Sequence, residues 1–138
     1  MSGFDLLIDQ KLEANKLQKA ISQVLEVEPE NILVCNEVSD VPLATSISSL
    51  VVLAEVLGEF VLLLAFYFKE SYVGIDSPIE IAKRLSTKLE CQCLISDDEI
   101  NPYTMLRVDI EAHVQQVALS VASLQEDKYV VEYVVRDV

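Results

Sequence analysis

The side chains that could do chemistry in this chain are an acid run, one histidine and three cysteines. The acids are Asp97, Asp98 and Glu99, followed closely by Tyr103. A calcium loop of the EF-hand type needs oxygen ligands at alternate positions, a central glycine and a distal glutamate, and 97–99 lacks that frame. Two uses stay open for the run: a solvated turn, or a contact patch for a basic partner. His113 is the only histidine, so a triad or metal site would have to complete itself from acids and cysteines. Glu111 and Gln115 would share its face in an extended chain, and a solvated residue near a strand bend is the ordinary reading. Cys91 and Cys93 sit two apart in a strand-like run, so their thiols emerge on one face. With Cys35 they could serve a soft metal, but a zinc knuckle needs C-x2-C and a second pair. Neighbours on one strand face seldom form a disulfide, and packing as small hydrophobes is the expectation. The three glycines are not clustered, which excludes a phosphate loop. A carboxylate pair for acid–base work would need a pocket, and nothing in the sequence names one. No catalytic residue, metal or cofactor is therefore expected, and the chain is read as not an enzyme.

Charge points the same way. The chain carries 10 Lys and Arg against 23 Asp and Glu, a net charge of −13. Nucleic-acid binding needs a cationic footprint, and anionic membrane surfaces would be repelled, so neither is an expected partner. A basic protein would be attracted and its encounter accelerated. Solubility of an apolar protein is the plainer use of the same charge. At 51% hydrophobic and a mean hydropathy of +0.34, the chain has either a large core or apolar surface reserved for another chain, a homo-oligomer included. Its 138 residues suit a single domain, 1–138. Met1-Ser2-Gly3-Phe4 runs into Asp5 without a basic region or cleavage site, and Val41–Ala54 is too short and polar to span a membrane. A reducing, cytoplasmic compartment is expected.

The elements that must position these groups follow from periodicity. Leu17, Ala20, Ile21, Val24 and Leu25 form one helical stripe within 4–27, with Phe4–Asp9 as a less regular lead-in and Glu28-Pro29-Glu30 as the stop. Residues 31–36 read as a buried strand and 38–42 as a loop. Residues 47–57 fit helix or strand, and the apolar run 60–68 behind Gly58 favours a β-hairpin turning near that glycine. Ser77 and Pro78 can start a helix, with Glu80 completing a capping box, Ile81, Ala82, Leu85 and Leu89 buried, and Lys83, Arg84 and Lys88 towards its C-terminal half. Cys91–Ile95 is a strand and 96–102 a turn-rich loop. From Thr104 to Ala112, apolar and polar residues alternate, which predicts a strand with Asp109 and Glu111 on its wet face. Strands over 114–121 and 129–135, joined by a polar turn at 123–128, complete the chain. The fold class expected is α+β: one mostly antiparallel sheet with two helices packed against it.

At the second helix and its following strand the sequence resembles small bacterial immunity proteins of contact-dependent inhibition and polymorphic-toxin systems. The residues that carry the likeness are Ser77-Pro78-Ile79-Glu80-Ile81-Ala82-Lys83-Arg84-Leu85, then Leu94-Ile95-Ser96-Asp97-Asp98 through Asn101-Pro102-Tyr103, with Gly58-Glu59-Phe60 ahead of an aromatic-ended strand. That resemblance implies a non-catalytic cytoplasmic binder whose acidic surface covers a toxin domain, often a basic nuclease. The candidate partner-binding residues are Asp97, Asp98, Glu99 and Tyr103, with Asp109 and Glu111 beyond them.

Overall fold

The computed structural model describes residues 2–36, 48–69 and 77–138. Its first element corrects the sequence reading: the expected lead-in is a strand, β1 (Ser2–Ile8). Leu6, Leu7 and Ile8 are all buried, so this strand is covered on both faces and reads as an apolar run without alternation. The helical stripe belongs to α1 (Ala14–Leu25), which buries Leu17, Ala20, Ile21 and Val24. It stops at Glu26, in the left-handed region at φ 56°, before Pro29 is reached. Strand β2 (Ile32–Cys35) follows. The loop expected at 38–42 lies outside the described residues.

The hairpin is present. Strands β3 (Ser49–Glu55) and β5 (Leu62–Phe68) pair antiparallel from Ser49 opposite Phe68 to Glu55 opposite Leu62. Between them the short strand β4 (Leu57–Gly58) reaches over to β9 (Lys128–Tyr129). Gly58 is required there: its φ is 107°, and a Cβ would meet the backbone oxygen of Tyr129 at 2.5 Å. The Glu59 N–H donates to the Tyr129 carbonyl at 2.8 Å, which holds the tip down.

Helix α2 (Pro78–Leu89) is where the capping chemistry placed it. The Glu80 N–H donates to Ser77 Oγ at 3.4 Å, while the Glu80 carboxylate turns to Lys83, 3.6 Å away, so the capping box is only half closed. Strands β6 (Cys93–Ser96), β7 (Thr104–Val108) and β8 (Val114–Leu119) come next. The alternation expected to continue to Ala112 breaks at Asp109. Its Oδ1 accepts from the N–H groups of Glu111 and His113, at 2.9 and 3.0 Å, and folds 109–113 into a turn. Val121–Gln125, expected as strand end and turn, is a short helix α3 that Ser120 caps by accepting from the Ser123 N–H. Strand β10 (Val131–Asp137) ends the fold.

The eight-stranded sheet runs β10-β8-β7-β6-β1-β5-β3-β2, antiparallel except for β2 with β3. β5 and β6 are both antiparallel to β1, hence parallel to each other, and α2 joins them across it. This is a split β-α-β unit with β1 as the inserted strand. Helices α1 and α2 close one face over a core containing Leu6, Ile8, Ile21, Leu64, Phe66 and Leu85. A second core on the opposite face holds Leu7, Phe60, Leu94, Val117 and Leu119, with Leu124 and Tyr129 packed on it. The class is α+β, as expected. The wet face foreseen for β7 is partly dry, since Met105 packs against the second core.

Candidate functional site

The acid run sits where the sheet parts. β1 pairs with β6 only over Leu6–Ile8, from Leu6 opposite Ile95 to Ile8 opposite Cys93. Towards its start β1 continues along β5 alone, as far as Ser2 opposite Phe68. β6 is the shorter strand, and past Ser96 the chain turns away. A cleft of about 710 Å³ opens beside this junction, a size that suits a small ligand or an inserted side chain. Phe4, Leu7, Met105 and Leu106 line it from the sheet, Ile79 from α2, and Tyr129 from β9, which packs on the second core. Phe4 is itself stacked on Phe66, with ring centroids 4.8 Å apart and planes 8° from parallel. Asp5, Asp97 and Asp98 are the charged residues on its lining, and among the described residues no Lys, Arg or His joins them.

The loop that carries these acids is tied by its own side chains. Ser96 Oγ accepts from the Asp98 N–H at 3.1 Å, Asp97 Oδ1 from the Glu99 N–H at 3.0 Å, and Asn101 Oδ1 from the Tyr103 N–H at 2.9 Å. Asp98 takes the left-handed conformation, φ 58°. Further on, the Leu119 N–H donates to the Tyr103 carbonyl at 2.7 Å, anchoring the loop to β8. Asp97 is half-buried and also accepts from Gln116 Nε2 at 3.1 Å. Burial raises its pKa, but hydrogen bonds from Thr104, Gln116 and the Glu99 backbone outweigh that and hold the carboxyl below its ordinary range. Asp97 is thus a fixed anion at the cleft.

The sequence-derived candidates separate into two places. Asp97 and Tyr103 are half-buried, Asp98 and Glu99 exposed, all on the loop before β7. Asp109 and Glu111 lie at the other end of β7, roughly 17 Å away at strand rise over five residues. Asp109 is occupied as the cap of its turn, with His113 Nδ1 3.7 Å away, and Glu111 is exposed. Sequence reasoning missed Asp5 and Phe4. A charge inside the run Phe4–Ile8 was the available signal for Asp5.

The remaining chemical groups go elsewhere. All three cysteines are buried free thiols. Ser86 Oγ donates to Cys93 Sγ at 3.0 Å. The adjacent Cys91 thiol and burial raise the Cys93 pKa well above its ordinary value, so this thiol is protonated. Among the described residues, no three His, Cys, Asp or Glu side chains converge as metal ligands, and no helix is long and apolar enough to cross a membrane. A more open hollow of about 580 Å³ between α1 and α2 brings Lys83, Arg84 and Lys88 near Glu26 and Glu80, so its cations outnumber its anions by one. No family model matches the chain, and neither does a curated protein or a solved structure.

Proposed function

We propose that this chain is a cytoplasmic, non-catalytic binding protein of the bacterial immunity kind, which covers a basic, nuclease-like toxin domain. The observation that carries this reading is the cleft between β1 and β7. It sets three carboxylates, Asp5, Asp97 and Asp98, beside an apolar wall drawn from both faces of the sheet, Phe4 from the helix-covered side and Met105 from the other. A Lys or Arg of the partner would meet the acids while its methylene stem covers the apolar wall. The net charge of −13 steers the encounter, and the cleft supplies the place where it ends. Glu99 and Tyr103 would rim the contact. Asp109 and Glu111 are too distant to share a partner seated only on the cleft.

The test is co-expression with the product of the adjacent gene, followed by a pull-down at low salt. The expected result is rescue from that product's toxicity and a complex that weakens as salt rises. Reversing one cleft charge and one rim charge in the Asp98→Lys, Glu99→Lys variant should slow association roughly tenfold at low salt. No complex with the neighbour's product, in either assay, overturns the reading.

A further inference from the structure

β10 is an end strand of the sheet, and among the described residues nothing pairs with its outer edge. Tyr133, Val134 and Val135 on it are 59%, 43% and 45% exposed. Strand edges of this kind are templates for a further chain unless proline, lysine or irregularity blunts them. β10 has neither proline nor lysine, but two bulges, between Val131 and Tyr133 and between Val134 and Arg136. Both irregularities fall inside 132–136, at Glu132 and Val135, so they sharpen the twist there and confine any pairing to these few residues.

Over that short length the sequence is self-complementary. Glu132 and Arg136 stand symmetrically about Val134, two residues to either side. In an antiparallel pair about a two-fold axis through Val134, Glu132 of each copy faces Arg136 of the other, and Tyr133 faces Val135. Moving the register by one residue sets Glu132 against Asp137 or against Val135 and loses both ion pairs. Among the described residues neither Glu132 nor Arg136 has an ion pair within its own chain. Their charges cancel, so 132–136 is a locally neutral apolar strip on a chain of net charge −13, where two copies can approach without strong repulsion.

We propose that the occupant of this edge is a second copy of the chain, paired antiparallel through β10 about Val134. The two eight-stranded sheets join into one, and attraction between Glu132 of each copy and Arg136 of the other sets the register. A single short strand contact is at the small end of specific interfaces, so the dimer is reversible and its population follows concentration. This association is independent of the binding reading for the cleft.

Sedimentation equilibrium over micromolar to near-millimolar concentrations tests it. The wild-type mass should rise from monomer towards dimer. Glu132→Arg and Arg136→Glu, both on an exposed strand and checked for folding by circular dichroism, should each weaken association about tenfold or more, because like charges then face each other twice. An equimolar mixture of these two variants should recover wild-type association, since the acids of one chain then face the bases of the other at both pairs. A wild-type chain that is monomeric throughout, single variants that associate like wild type, or a mixture that stays monomeric would each overturn the proposal.

Discussion

Leu94→Ala is the perturbation that best separates a one-sided sheet from the two-sided one observed. Helices α1 and α2 cover one face only, and Leu94 points to the other, where it is 0% exposed among Leu7, Phe60, Val117 and Leu119. Removing a buried leucine side chain down to Cβ loses its transfer free energy and leaves a cavity that neighbours fill only in part, about 2–5 kcal/mol in total. The neighbours here are themselves buried to 3% exposure or less and come from strands β1 and β8 and the β3–β5 connection, so little collapse is available. A loss of about 3–4 kcal/mol is expected. Against a total stability of about 5–15 kcal/mol, that is a large fraction, and it should lower the melting temperature by on the order of 10 °C. Urea unfolding followed by circular dichroism measures it, with Ile100→Ala on the exposed loop before β7 as a control expected within about 0.5 kcal/mol of wild type. If Leu94→Ala costs less than about 1 kcal/mol at unchanged m-value, the second core is not close-packed and the reasoning fails.

Other consequences concern single polar groups. Ser49 Oγ is buried and has no hydrogen-bond partner among the described residues, so Ser49→Ala should leave stability unchanged or raise it by up to about 1 kcal/mol; a clear loss in urea unfolding would contradict this. Glu90 ends α2 in the left-handed region at φ 54°, so Glu90→Gly should stabilise by roughly 0.5–1 kcal/mol despite the added freedom of the unfolded chain, read from the urea midpoint. Asp97 has a folded pKa below its unfolded one, so its contribution is fully present above the unfolded value and is lost as pH falls through the folded value. Wild type should therefore exceed Asp97→Asn in stability at neutral pH, with the gap closing in acid below the ordinary carboxylate range. A gap independent of pH there would show that the anion of Asp97 contributes nothing.

What could be read from residue order was whatever is decided within a few residues. Ser77 and Pro78 start α2 because a hydroxyl and a fixed φ act on the very next turn, and Ile81, Ala82, Leu85 and Leu89 are buried as their spacing required. The turn chemistry of 96–102 was legible for the same reason, since Ser96, Asp97 and Asn101 bond to backbone groups two positions on. β1 was not legible. Its apolar run lacks alternation because neighbouring strands and two cores bury both of its faces, which no local pattern expresses. Likewise Asp109 and Glu111 alternate as a strand would, yet the carboxylate of Asp109 captures two N–H groups and ends it. The acid run at 97–99 was visible from the start as a charged turn. Its place beside a cleft with Asp5 was settled only by tertiary structure, because β1, drawn from the beginning of the chain, inserts next to a β6 too short to match it.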